Sequence, residues 1–300
     1  MDNSLYGIPI GLLAAAFQSG SYVFSGKYVR ETGRGTLSLL VPAFALMSLT
    51  SFAALPFFIG GDMPPLRSYA GAALACMLFC ILGQTGMFFM YKTVDASRVS
   101  PLLAVKTPLL ALFYFAFYGD RYTPVQWLGV SLVVPAAWML CKAGRAIPAR
   151  ALLWLFFGCV SFAASDHCIR IVLGAFKDCG GTLRVSMLGF LTVYAAGGIF
   201  GVAGLAAGMT PSKRDMVRYV LPFSFFWYFG IAALFVCFAQ VGIVNGNIVQ
   251  STRGLISVAL GWLIARAGFE RLEEKTPGKT FAKRIAAAAL IILAVFLFNV

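Results

Sequence analysis

The sequence predicts an all-α integral membrane protein, and three observations carry that expectation. Hydrophobic residues make up 60% of the 300 residues and charged residues only 12%, against roughly a quarter charged in soluble domains. Mean hydropathy is +0.85. The apolar residues gather into runs of about 20, the length at which a helix crosses the hydrocarbon of a bilayer. Ten such runs can be placed, over 5–24, 37–59, 70–91, 101–118 and 125–141, then 151–174, 185–209, 219–241, 249–267 and 281–300. The connectors are short and contain no linker or soluble domain. No basic segment precedes the first run, so a cleavable signal peptide is not expected.

Charge and cysteine content exclude other classes. A formal net charge of +13 could indicate nucleic acid, but the basic residues sit in short connectors between apolar runs, as in loops at a membrane surface. The expected partners are the lipid bilayer and a small-molecule substrate, with no nucleic acid; monomer and homodimer stay open. Cys76, Cys80, Cys141, Cys159, Cys168, Cys179 and Cys237 show no CxxC spacing and read as small packing residues. No metal site or cofactor is expected. The GxxxxGK[ST] phosphate loop does not occur, so no nucleotide-hydrolysing site is expected in the chain.

Taken in order, the spans carry these signals. The first holds Gln18, Ser19 and Tyr22, and the third Gln84 and Thr85; mid-span polar groups face a pathway or bond a neighbouring helix. The fourth contains Lys106 and Pro108, and the fifth Trp127 and Pro135, with both prolines candidate kinks. The sixth opens near Trp154, which like Trp127 stands where interfacial anchors stand, and later reads Ser165-Asp166-His167-Cys168-Ile169-Arg170. The seventh holds Gly197-x-x-x-Gly201 and Gly204-x-x-x-Gly208, a close-packing pattern. The eighth has the aromatic run 223–228, FSFFWY, in which Trp227 and Tyr228 could meet a flat or cationic ligand. A loop with Asn245, Asn247 and Gln250 is expected next, and the ninth span begins Gln250-Ser251-Thr252-Arg253-Gly254.

The punctuation repeats. Asp120-Arg121 closes the fourth span and Glu270-Arg271 the ninth, 150 residues apart. Five spans per unit is an odd number, so a second unit must lie inverted relative to the first. The expected organisation is two inverted five-helix repeats, 1–145 and 146–300, around a central cavity. Secondary transporters are built this way, with the substrate held near the midplane.

The stretch 95–103, DASRVSPLL, with Pro108, the run 119–124, GDRYTP, and Gln126-Trp127-Leu128-Gly129 resembles the repeat hallmark of the drug/metabolite transporter superfamily, in its ten-helix EamA-type members. The second half departs from the hallmark: at the 150-residue offset Pro108 corresponds to Val258. The resemblance implies a small-solute permease of the bacterial inner membrane, its cavity lined by spans one, three, four, six, eight and nine.

Of the 24 basic residues, 17 fall in the connectors of one side and 5 in those of the other; Lys106 and Arg170 lie inside spans. The positive-inside rule then puts both termini outside, whereas the resembling family keeps them inside. The charge count is preferred.

Charges inside spans define the candidate site, because an isolated one at the bilayer centre costs at least ~2.5–3.5 kcal/mol. Asp166 and Arg170 are four residues apart and can pair on one helix face, while His167 points away by roughly 100°. These three are the candidate coupling or gating groups. Lys106 has no carboxylate at helical spacing. It meets either Asp166 across the bundle or a substrate anion held jointly with Arg253, since paired cations bind carboxylate or phosphate. The candidate substrate-binding residues are Lys106, Arg253, Gln18, Tyr22, Gln84, Trp227, Tyr228 and Gln250. The expected function is secondary transport of an anionic or zwitterionic metabolite by alternating access. Alternatives are an exporter of hydrophobic cations from the same superfamily and, more distantly, a membrane enzyme acting on lipid. The enzyme is disfavoured because the chain has 1 histidine and Asp166 and His167 diverge.

Overall fold

The computed structural model describes residues 4–35, 37–94, 96–142, 147–266 and 277–299. Among the described residues every regular element is helical, as hydrocarbon requires: with no water to bond, backbone N–H and C=O groups must be satisfied within the segment. In chain order the helices are α1 (Ser4–Thr32), α2 (Leu37–Ala54), α3 (Ala70–Tyr91), α4 (Ala96–Leu102), α5 (Lys106–Tyr118), α6 (Pro124–Lys142) and α7 (Ala149–Ala175). They continue with α8 (Thr182–Ala196), α9 (Gly198–Ala206), the single turn α10 (Lys213–Asp215), α11 (Leu221–Val241), α12 (Ile243–Gln250), α13 (Arg253–Arg266) and α14 (Gly278–Asn299).

Joined across their short breaks, these give 8 runs long and apolar enough to cross a membrane among the described residues. The chain is an integral membrane protein. Phe52, Phe117, Leu153, Ile199 and Phe225 stand exposed on the outside of the bundle, where lipid rather than water meets them. The remaining helices α6 and α14 pack on each other. The connector around Glu270-Arg271 and the boundary between residues 145 and 146 lie outside the described residues.

Packing follows a regular plan. α1 lies along α11, and α3 along α7; α2 lies against α8 and α9. α4 packs on α13, and α5 on α12. Small residues permit the closest approaches. A Cβ on Gly201 would stand 2.6 Å from the Ala45 backbone nitrogen, and one on Gly86 2.9 Å from the Trp154 carbonyl oxygen. In the seventh span Gly198, Gly201 and Gly204 form this ridge against Ser48, Ala45 and Val41 of α2, whereas Gly208 meets nothing and turns the chain with φ +82°.

Two spans are interrupted, and both interruptions have local causes. Between α4 and α5 a 3-10 turn, Leu103–Val105, tightens the chain. It lies between Pro101 and Pro108, each of which removes an i→i−4 bond, and the Lys106 amide donates to the Leu103 and Ala104 carbonyls instead. Between α12 and α13 the Ser251 and Thr252 hydroxyls donate to the carbonyls of Asn247 and Val249 at 2.9 and 2.7 Å, competing with the helical ladder. The two broken spans cross where Gly254 meets Pro101, a Cβ there being 2.9 Å from the Pro101 Cα, and where Ser257 and Ser100 hydroxyls bond at 2.8 Å.

The structure moves several expected boundaries. The first span continues past residue 24 to Thr32. The segment expected as a loop with Asn245, Asn247 and Gln250 is helix α12. Gly242 alone separates it from α11, with φ 82°, a left-handed conformation open to glycine. Starting the ninth span at Ile243 places Arg253 in mid-span. It is 3% exposed, so it is not the connector cation that the charge count assumed.

Candidate functional site

The crossing of the broken spans puts a cation at the head of each second segment: Lys106 opens α5 and Arg253 opens α13. Both line a central cavity together with Gln18 and Tyr22 of α1, Asp166 and Phe162 of α7, Trp227 of α11 and Gln250 of α12. The cavity is narrow, with about 30 Å³ of room for water centres, enough for about one or two waters.

Lys106 is 4% exposed and Asp166 5%. The Lys106 Nζ donates to Asp166 Oδ2 at 2.9 Å, which settles the pairing left open by the sequence. The expected Asp166–Arg170 pair does not form. Four residues is one helical turn, but Asp166 faces the cavity, while Arg170 emerges toward solvent and meets Asp120 at 3.8 Å.

Arg253 differs. Its Nη1 donates to Gln18 Oε1 at 2.9 Å and to the Tyr22 hydroxyl at 3.4 Å, and none of the ion pairs among the described residues includes it. Gln250 Nε2 donates to the same Gln18 oxygen at 2.7 Å. With Lys106 and Asp166 cancelling, the cavity wall carries one uncompensated positive charge.

Of the expected binding residues, Lys106, Arg253, Gln18, Tyr22, Trp227 and Gln250 line this cavity; Gln84 and Tyr228 do not. Gln84 is fully buried elsewhere in the bundle. Tyr228 turns to α2, its hydroxyl 2.8 Å from Ser51 Oγ. Trp227 instead donates to the Tyr194 hydroxyl at 2.7 Å, which brings the seventh span into the wall. His167 lies outside the cavity, its Nε2 3.0 Å from the Tyr118 hydroxyl and its ring 5.1 Å from that of Phe113. Sequence reasoning missed Phe162, Ile169 and Tyr194. Phe162 and Ile169 stand at i−4 and i+3 from Asp166, so the helical period could have found them; nothing in the apolar run around Tyr194 marks it.

A second, open cavity of about 620 Å³ lies at the end of the bundle where α5, α7 and α11 terminate, lined by Asp120, Arg121, Arg170, Lys177 and Asn245 among others. The Arg170 guanidinium lies 4.7 Å over the Tyr114 ring and 5.3 Å over that of Tyr118. Burial, reinforced by the Asp120 charge, pushes the nearby Tyr122 phenol up to about 12, so it stays neutral. Leu173 and Phe238 on the wall of this vestibule are about one turn from Ile169 and Phe235, which line the central cavity, so α7 and α11 contribute to both walls.

Residues 5–141 match the EamA-like transporter family. An uncharacterized inner membrane transporter, YedA, of Escherichia coli K12 is 27% identical over 154 residues, 50% of this chain and 46% of that protein. The first half of the chain is thus similar to the EamA-like transporters. YedA of Escherichia coli O157:H7 matches over the same extent, so the alignment spans about half the length of the curated relatives. A solved crystal structure superposes on the chain with a TM-score of 0.61 at 14% identity, over 99% of this chain and 98% of that one, a likeness of fold.

Proposed function

We propose that the protein is a secondary transporter that carries a small organic anion or zwitterion across the bacterial inner membrane by alternating access. The observation that carries this reading is the buried net positive charge at the crossing of two interrupted helices. Discontinuous spans that meet at mid-depth are where such transporters hold substrate, and half-helix N-termini favour negative groups.

In this reading α6 and α14 complete ten spans, arranged as inverted repeats 1–145 and 146–300. The packing plan supports it. A two-fold axis relating span n to span n+5 turns the first–eighth contact into the sixth–third contact, and maps the second–seventh, fourth–ninth and fifth–tenth contacts onto themselves. These are the pairings formed by α1 with α11, α7 with α3, α2 with α8, α4 and α5 with α13 and α12, and α6 with α14.

An exporter of hydrophobic cations would call for a free acid, and the cavity's Asp166 is occupied by Lys106. A lipid-modifying enzyme would need an acid–base pair, and His167 faces Tyr118 rather than Asp166. The decisive measurement is the melting temperature of purified protein against a panel of carboxylates, phosphate esters and hydrophobic cations. Stabilisation by anions, followed by counterflow of the same compound in proteoliposomes, supports the proposal. Stabilisation by cations alone would sink it.

Among the described residues the basic connectors around Arg34 and around Lys213 and Arg214 join the span ends opposite the vestibule, so the charge bias places the vestibule and both termini on the outer side. A C-terminal reporter active in the periplasm is expected; cytoplasmic activity would reverse the assignment.

A further inference from the structure

We infer that Arg253, with Gln18 and Gln250, is the site for one singly charged anionic group, and that Lys106 and Asp166 form a self-neutralised pair that shapes the cavity without binding that group. This deepens the transport reading and rests on taking the central cavity as the substrate chamber.

The division follows from who is already satisfied. Lys106 has a carboxylate at 2.9 Å, so a ligand anion must displace Asp166 to reach it and strand a buried carboxylate. Arg253 has only neutral partners, a glutamine oxygen and a phenol. Around it, three polar atoms are buried without a partner: Arg253 Nε, Gln18 Nε2 and Gln250 Oε1. Their residues are 3%, 0% and 2% exposed. Buried donors and acceptors of this kind are rarely left unmatched. The set offers one positive charge, two unpaired donor nitrogens and one acceptor oxygen. A carboxylate or sulfonate fits the donors, with a hydrogen-bond donor beside it for Gln250 Oε1. The same wall includes the rings of Trp227, Tyr22 and Phe162, apolar surface for the body of such a ligand. A dianion would exceed the single compensating charge. Asp166, in this assignment, is the counter-ion of Lys106 and not a proton carrier.

Cys80 lines the same cavity and supplies a reporter that needs no knowledge of the substrate. In a variant whose other cysteines are alanine, Cys80 is treated with anionic 2-sulfonatoethyl methanethiosulfonate or its cationic trimethylammonioethyl counterpart. The same thiolate attacks the sulfenyl sulfur of either reagent, forming a mixed disulfide and releasing methanesulfinate, so its ionisation cancels from the ratio of rates, which then reads the local potential. Relative to a free thiol, the ratio is expected to favour the anionic reagent by about tenfold or more. Arg253→Gln is expected to abolish that preference and Arg253→Lys to keep it. Joint replacement by Lys106→Met and Asp166→Leu should leave it in place. A preference that survives Arg253→Gln but disappears with the Lys106–Asp166 pair overturns the assignment, as do equal relative rates for the two reagents in the wild type. If no anion shows counterflow while the preference depends on Arg253, transport fails and the anion site stands. Counterflow without the preference would place the anion elsewhere.

Discussion

Lys106→Met is expected to lower the stability of the protein in detergent by roughly 3–5 kcal/mol, the cost of breaking a buried ion pair from one side. The two groups lie 2.9 Å apart with side chains 5% and 7% exposed, in the interior of a membrane bundle. Removing the ammonium leaves Asp166 with a charge it must either hold without a partner or neutralise by taking up a proton. Asp166→Asn should cost a similar amount, leaving Lys106 stranded beside the positive Arg253. The double variant Lys106→Met with Asp166→Leu should recover most of the loss, because apolar groups of similar volume replace a pair whose desolvation nearly offsets its attraction. Thermal melts of the wild type, both singles and the double form a cycle that isolates the pair. Single variants that melt with the wild type would mean that water solvates these groups.

Arg253→Met should act in the opposite sense. No carboxylate compensates its guanidinium among the described residues, and burying a charge on neutral partners alone is costly. Its removal leaves the Gln250–Gln18 bond at 2.7 Å in place and takes one positive charge out of a low-dielectric site. The melting temperature is therefore expected to hold or rise. Counterflow of the anion identified by ligand screening should fall by at least about 100-fold, as loss of a charge-assisted bond in a dry site implies. Stability gained while activity is lost is the signature of a residue kept for function. A variant that both unfolds and fails to transport would make Arg253 a structural group instead.

The two variants also separate what was legible before the fold was known. A helical period and a run of about 20 apolar residues located the spans, because the bilayer sets their length whatever their neighbours. Single charges inside those runs marked Lys106, Asp166 and Arg170 as unusual, since hydrocarbon penalises each one independently, whereas the charge count leaves Arg253 to a connector and only the pairing of cations for an anion singles it out. The partners were not readable. Arg170 stands one turn from Asp166 in sequence, yet Asp166 pairs with Lys106, 60 residues away, because the rotation of α7 against α5 decides which side chain meets which. Gln84 and Tyr228 are as polar as Gln18 and lie in comparable spans, but their helices turn them elsewhere.

Register shows the same limit. The Asp-Arg and Glu-Arg punctuation is 150 residues apart, whereas the cations heading α5 and α13 are 147 apart. Connectors can lengthen at little cost, so loop markers slip relative to the helices they join. Composition and periodicity alone determined that this chain is a helical membrane protein with a few ionised side chains in its spans. Only the tertiary structure decided that one pair cancels and one cation stands over, because a charge takes its meaning from the groups within a few ångströms of it, and those come from helices far apart in the sequence.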